Sequence, residues 1–266
     1  SRIASRVLMR MAHASYTTEN DIYDLTLAQP WEDWFEVDHT IRIDVTAIKS
    51  PLRSLEFTTL KIKDAICDRF RDIYNRRPSV DTKMPDMRIV GFLDARTFTL
   101  YLDTSGEALF KRGWRMETGD APLRENLAAG LLRTSGWKPG MTLFDPMCGS
   151  GTILAEAAQM LAGIPPGLHR DFAFEKFAGF SKAEWSAIKA SVKPNPLPTE
   201  PTIFGSDISG DMVSMTRNNL NKAGIRFEVP LKQIEAQEVK APSETPGILL
   251  TNPPYGERIG VRGDST

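Results

Sequence analysis

The order of apolar and polar positions divides the chain into two stretches with different rhythms. In the first, Thr40-Ile41-Arg42-Ile43-Asp44-Val45-Thr46-Ala47 alternates polar and apolar, as a half-buried strand does. Arg88 to Leu93 and Thr97 to Asp103 predict a hairpin that turns at Asp94-Ala95-Arg96. Between them the spacing predicts a helix from Ser54 to Tyr74. Its apolar side includes Leu60, Ala65, Ile66, Phe70 and Ile73. Its other side carries Lys61, Lys63, Arg69 and Arg71, with Arg76 and Arg77 following. Asp64, Asp68 and Asp72 interrupt these cations, so the face reads either as a solvated surface or as a contact for a polyanion. No internal repeat is visible.

The second stretch alternates strands with helices. After a polar connection at 116–121, Pro122 opens an amphipathic helix that runs to Leu132. Leu143-Phe144 is a strand, Asp145 to Thr152 a Gly-rich turn, and Ile153 to Leu161 a helix. Lys193 to Pro201, with four prolines, is a stiff extended spacer. Ile203 to Asp207 is a strand that ends in an acid. Asp211 to Lys222 is a helix closed by Gly224. Arg226-Phe227-Glu228-Val229 and the apolar run Gly247 to Thr251 are further strands. This alternation implies an α/β domain with a parallel sheet and crossover connections. The expected division is residues 1–115, a linker at 116–121, and residues 122–266.

Composition narrows the partners. The 266 residues are 41% hydrophobic and 25% charged, which describes a globular chain. With a net charge of -1 and a pI near 6.3, any nucleic-acid site must be a local patch. Cys67 and Cys148 sit in unrelated contexts without a His/Cys cluster, so no metal site and no disulfide framework is expected. A reducing, cytoplasmic compartment fits that usage. No apolar stretch reaches membrane-spanning length, so no membrane association is expected. The start, Ser1-Arg2-Ile3, is neither a signal peptide nor a natural Met start, and both ends are expected to be cut.

Three polar signals follow the predicted strands. In Asp145-Pro146-Met147-Cys148-Gly149-Ser150-Gly151-Thr152, a strand feeds a Gly-rich loop into a helix, which aims backbone N–H groups at an anion. The loop lacks the Lys of a P-loop and departs from the dinucleotide fingerprint. Gly149 and Gly151 permit close approach of a ligand, and Asp145 suits an ammonium. A ligand with both charges is an amino acid, and S-adenosylmethionine (SAM) carries one; the alternative is a tight βα turn with no ligand. Asp207 ends the next strand, where an acid accepts from both ribose hydroxyls or caps the following helix. Gln233 is the candidate for the adenine edge. The last signal is Asn252-Pro253-Pro254-Tyr255. A planar aromatic amine is a poor nucleophile, because its lone pair is delocalised. The Asn252 side-chain oxygen and the Pro253 carbonyl can take its two N–H hydrogens and free that pair, while Tyr255 stacks on the base. His13, His39 and His169 show no catalytic spacing. A base in a duplex must be flipped out to be reached. The loop Gly167 to Phe174 either helps to hold it or is an ordinary surface loop.

At these residues the chain resembles the THUMP-domain class I RNA methyltransferases, and among them the bacterial 23S ribosomal RNA guanine-N2 methyltransferases. Asp145 to Thr152, with Pro146, Cys148 and Thr152 beside the glycines, is similar to the family's SAM loop. Asn252-Pro253-Pro254-Tyr255-Gly256-Glu257-Arg258 is similar to its catalytic motif, and Pro122 to Ala129 to the helix before the loop. Leu60 to Ile66, Asp103-Thr104-Ser105-Gly106 and Lys111 to Arg115 resemble THUMP segments. The resemblance implies a Rossmann-like SAM-dependent sheet preceded by a smaller α+β THUMP-type RNA-binding domain. It implies SAM as cofactor and 23S rRNA or its precursor particle as partner. It turns Lys61, Lys63, Arg112 and Arg115 toward RNA contact. Relatives often carry Asp where Gln233 stands. The family has residues before Ser1 and further strands after Tyr255 that complete a seven-stranded sheet. By that comparison the chain is a piece expected to bind SAM poorly alone. A DNA adenine-N6 methyltransferase, a protein glutamine methyltransferase and a non-catalytic rRNA-binding or assembly protein remain as alternatives.

Overall fold

In a computed structural model, residues 1–115 and 123–254 are described. The expected linker at 116–121, Pro122 and Tyr255 lie outside the described residues. The chain folds into two compact units, and neither is a single stretch of sequence. One holds Arg6–Ala108 and Asp171–Ser186; the other holds Ser1–Ser5, Leu109–Arg170 and Ala187 onward. Residues 1–5 and 109–115 therefore fall with the second unit, unlike a single division after residue 115.

The first unit is a four-stranded mixed sheet of β1 (Leu8–Ser15), β2 (Ile41–Ala47), β3 (Met87–Leu93) and β4 (Thr97–Asp103), in the order β1-β4-β3-β2. β2 and β3 run parallel; β4 is antiparallel to both β1 and β3. Helices α1 (Glu19–Leu27) and α2 (Leu55–Tyr74) complete the unit. Ser54 caps α2 by accepting the Phe57 N–H at 3.1 Å, and Asn75 ends it in the left-handed region at φ 53°. The buried stripe of α2 is Thr58, Ile62, Ala65, Ile66, Cys67 and Phe70. Leu60 and Ile73, expected inside, are 46% and 43% exposed. Leu60 stands two residues from Ile62, which is about 200° round the helix. Gly91 lets α2 approach the sheet, since a Cβ there would meet Ile62 Cδ1 at 3.1 Å.

The segment 171–186, far away in sequence, belongs to this unit. It leads into α5 (Lys182–Ala190). The Phe174 N–H donates to Thr104 O at 3.2 Å and the Ala178 N–H to Trp34 O at 2.8 Å. Phe177 packs edge-on against Trp34, and Lys176 pairs with Asp86 at 2.5 Å. The second half of the loop considered for base holding, Asp171 to Phe174, thus belongs to the first unit.

The second unit holds four parallel strands among the described residues: β5 (Thr142–Asp145), β6 (Ile203–Asp207), β7 (Leu231–Gln233) and β8 (Gly247–Leu249), in the order β7-β6-β5-β8. The strand expected at 226–229 begins instead at Leu231. Residues 226–229 alternate in exposure but have no ladder partner among the described residues; pairing starts where the Gly205 N–H donates to Pro230 O at 3.0 Å. Helices α3 (Glu125–Thr134), α4 (Thr152–Leu161) and α6 (Gly210–Lys222) build one core with Leu143, Ile203 and Leu220. All of α4 except Met160 is buried. Phe144 and Phe204 alternate to the other face of the sheet, where they line a cavity of about 340 Å³ with Pro230, Ile234, Val239 and Pro242.

Candidate active site

The expected site residues sit where parallel strands end. Asp145 is the last residue of β5 and Asp207 the last of β6, and Gln233, the last of β7, is in register with Asp207. β8 lies on the opposite side of β5, so the chain that leaves it at Leu250-Thr251-Asn252-Pro253 emerges beside the β5 loop. The Leu250 N–H donates to Phe144 O at 3.0 Å, which fixes that exit. The carboxyl ends of neighbouring parallel strands are the usual ligand crevice of an open α/β sheet. Asn252 and Pro253 are half-buried. The cavity under Phe144 and Phe204 includes none of Asp145, Asp207, Gln233 and Asn252.

Asp145 is 2% exposed. Burial pushes its carboxyl up to about 6, against the pull of the Thr251 hydroxyl and the Met147 N–H, and the Asp207 charge adds to the rise. No cation acts on it among the described residues. Such a carboxylate suits a ligand that brings its own positive charge. Helix α4 begins directly after the loop, and its N-cap Gly151 offers no side-chain cap to the first-turn N–H groups. A buried carboxylate with no cation acting on it among the described residues and a helix N-terminus without a side-chain cap therefore stand at the two ends of one eight-residue loop.

The loop is held by neighbours. Asp207 accepts the Gly149 N–H at 2.9 Å on one oxygen and the Ser209 N–H at 3.0 Å on the other. Ser209, not Asp207, caps α6, by accepting the Met212 N–H at 3.4 Å. Ser206 Oγ donates to Pro146 O at 3.2 Å. Gly149 adopts φ 53° with nothing within 4 Å of a built Cβ, so this side of the loop is open. Gly151 adopts φ 80°, and a Cβ there would lie 2.6 Å from Thr216 Cγ2, so only glycine lets the loop close onto α6. Gln233 is exposed and donates from Nε2 to Ile208 O at 3.3 Å, beside Asp207.

Three expected roles change. Cys148 turns into the core: it is 7% exposed, its N–H donates to Ser206 O at 2.9 Å, and burial pushes its thiol up to about 12. It supports the loop instead of facing a ligand. Arg112, expected at RNA, is 2% exposed. Its Nε reaches Glu156 Oε1 at 3.0 Å, and its other nitrogens reach Leu109 O at 2.5 Å and Arg2 O at 2.6 Å. Arg2 holds the other Glu156 oxygen at 3.0 Å. Arg115 is also turned inward, donating to Leu123 O at 3.1 Å and to Thr152 Oγ1, with its Nε 3.4 Å from Glu125. Burial lowers the Arg115 guanidinium and raises the Glu125 carboxyl. Both arginines grip α4 one turn apart. An arginine in a connector reads equally as RNA contact or internal tie, and burial decides here.

In the first unit, Lys61 Nζ donates to Asn20 Oδ1 at 3.1 Å and lies 5.6 Å from the ring centres of both Tyr23 and Phe57. Lys63 pairs with Asp64 at 2.5 Å. Both stay partly exposed. Sequence reading misses Thr216 and Asn219 on α6, whose side chains hold the carbonyls of Gly149 and Ser150. The signal is present, since Val213, Thr216, Asn219 and Leu220 fall at i, i+3, i+6 and i+7 on one buried face.

Comparison with known proteins agrees with this layout. Residues 112–265 match the RMKL-like methyltransferase domain and residues 16–103 the THUMP domain. The chain is 42% identical to "Ribosomal RNA large subunit methyltransferase K/L" of Psychromonas ingrahamii, over 100% of this chain and 36% of that protein. It is 40% identical to the Photobacterium profundum protein of the same name, over 98% and 38%. The chain thus spans under two fifths of these relatives. Among solved structures, a predicted N6-adenine-specific DNA methylase from Listeria monocytogenes aligns with a TM-score of 0.86 at 31% identity, covering 97% of this chain and 68% of that one. The solved structure "Crystal structure of SMU.472, a putative methyltransferase complexed with SAH" aligns at 0.79 and 29% identity, covering 96% and 67%. With a THUMP domain in its first unit and the Gly-rich loop and Asn-Pro-Pro motif in its second, the chain belongs to the family of the RMKL-like methyltransferase domain.

Proposed function

We propose that the protein transfers a methyl group from SAM to the exocyclic N2 amine of a guanine in 23S ribosomal RNA. The observation that carries this reading is the convergence at adjacent strand ends: Asp145 and the uncapped α4 N-terminus on β5, Asp207 on β6, and Asn252-Pro253 after β8. SAM bound there supplies an electrophilic methyl on a sulfonium. Asp145 holds its ammonium, the Ser150 and α4 N–H groups its carboxylate, and Asp207 its ribose hydroxyls. Gln233 stands beside the adenine edge.

Asn252 and Pro253 act on the amine. Two acceptors, the Asn252 side-chain oxygen and the Pro253 carbonyl, take its two hydrogens and leave its lone pair free toward the methyl. The proton leaves after the methyl arrives, so positioning supplies most of the rate. RNA as the substrate class is supported by the THUMP domain in the first unit and by the names of the ribosomal RNA relatives. Guanine N2 rests on the motif resemblance at Asn252. A cytoplasmic location fits such a substrate. Among the described residues no helix is long and apolar enough to cross a membrane, and no group of three metal ligands occurs.

The test is the labelled nucleoside made by the protein at its full natural length from unmodified ribosomal RNA, with DNA and peptide in parallel. N2-methylguanosine is the expected product. N6-methyladenine on DNA or methylglutamine in peptide would replace the substrate assignment.

A further inference from the structure

We propose that Thr216 and Asn219 are positioning residues for the methyl donor, acting through the peptide groups of the 145–152 loop. The inference rests on the reading of that loop as the SAM site, and it adds residues that touch no ligand.

Both side chains are polar and fully buried, at 0% and 1% exposure, on the α6 face shared with Val213 and Leu220. Burying a polar side chain is unfavourable unless its hydrogen bonds are made. Thr216 Oγ1 donates to Gly149 O at 2.7 Å, and Asn219 Nδ2 donates to Ser150 O at 2.9 Å. Two successive loop carbonyls are therefore drawn onto α6.

The consequence follows from peptide geometry. A trans peptide points its N–H opposite to its C=O. With Gly149 O directed at Thr216, the Ser150 N–H faces away from α6. The neighbouring amides are occupied, Gly149 N–H by Asp207 at 2.9 Å, Cys148 N–H by Ser206 O at 2.9 Å and Gly151 N–H by Cys148 O at 2.8 Å. The Ser150 N–H has no partner among the described residues, and the Gly149 side of the loop is open. Together with the first-turn N–H groups of α4 it makes a preset anion cradle. Without the α6 contacts the 149–150 peptide is free to rotate, and the cradle loses its fixed donor.

Asn219 adds an independent sign. Its Oδ1 is buried with no hydrogen-bond partner among the described residues. A leucine of similar size would fill the space without that penalty. The position keeps an amide whose one satisfied hydrogen bond is to the loop.

The experiment compares Thr216→Val, Thr216→Ser and Asn219→Ala in the protein at full natural length. S-adenosylhomocysteine affinity is read by calorimetry, KM for SAM and for RNA by methyl transfer, and melting by circular dichroism. Thr216→Val keeps the branched shape and removes only the hydroxyl. It should raise the S-adenosylhomocysteine Kd and the SAM KM about tenfold, the worth of one net hydrogen bond, with the RNA KM at the parent value. Thr216→Ser should stay within about twofold of the parent, and Asn219→Ala should follow Thr216→Val. Unchanged cofactor affinity in Thr216→Val would overturn the proposal. So would equal weakening by Ser and Val, which would mean that packing and not the hydroxyl sets the loop. If variants weaken S-adenosylhomocysteine while RNA receives no label, the positioning role stands and the substrate reading falls. A parent that binds no S-adenosylhomocysteine overturns both.

Discussion

Replacing Asp145 by asparagine should stabilise the protein at neutral pH while disabling it. The carboxyl is 2% exposed and its affinity for a proton is raised to about 6, against an unfolded value of 3.8. Below 3.8 it is protonated in both states and contributes nothing to the pH dependence. Between 3.8 and about 6 the folded state keeps a proton that the unfolded state has lost, so stability falls as pH rises. Above 6 both states are ionised and the full penalty is present. A difference of about two pKa values corresponds to ~3 kcal/mol. Asparagine keeps the shape and the acceptor for the Met147 N–H, which donates at 3.2 Å in the parent. Urea unfolding at pH 7.5 should therefore show Asp145→Asn more stable than the parent by up to ~3 kcal/mol, with the gap closing toward pH 4. Calorimetry should show S-adenosylhomocysteine binding weakened by roughly 10- to 100-fold, the worth of a charge-assisted hydrogen bond. A variant no more stable than the parent at pH 7.5, or a gap that persists unchanged at pH 4, would mean that burial of the ionised Asp145 carboxyl carries no such penalty.

Other consequences are as direct. Arg112→Ala should cost ~3 kcal/mol of stability by stripping a partner from the fully buried Glu156, and leave RNA affinity of the folded protein unchanged in filter binding; selective loss of RNA affinity would restore Arg112 as a contact. Both thiols are buried, so neither should react with a thiol reagent at pH 8 until the protein unfolds, when two should appear; fast labelling of Cys148 in protein with parent-like melting would contradict its placement. Gly149→Ala should cost roughly 1–2 kcal/mol for its left-handed backbone alone, and Gly151→Ala more, because its Cβ also meets Thr216; equal melting points would contradict the close packing on α6.

Much of this architecture is legible from residue pattern. The hairpin at Asp94–Arg96, the long helix closed at Tyr74 and the β5-loop-α4 unit all follow from local signals: alternation, caps and glycines. The site acids are legible for the same reason, since Asp145 and Asp207 end apolar runs. What pattern does not carry is long-range partnership. Nothing near Phe174 or Phe177 in sequence says that the segment packs with residues 6–108, because their partners Thr104 and Trp34 lie 70 and 143 residues away. Arg112 and Arg115 look like surface cations until Glu156, Thr152 and Glu125 are seen to take them. Leu60 and Ile73 show the limit of composition against phase on a helix. Tyr255, expected to stack on the base, lies outside the described residues.

The most direct measurement is transfer of labelled methyl from SAM to unmodified ribosomal RNA by the protein at full natural length, with the modified nucleoside identified by mass spectrometry and Asn252→Ala in parallel. Label should appear in N2-methylguanosine and disappear with Asn252→Ala while S-adenosylhomocysteine still binds. Label in another nucleoside, or undiminished transfer by Asn252→Ala, would contradict the proposed reaction.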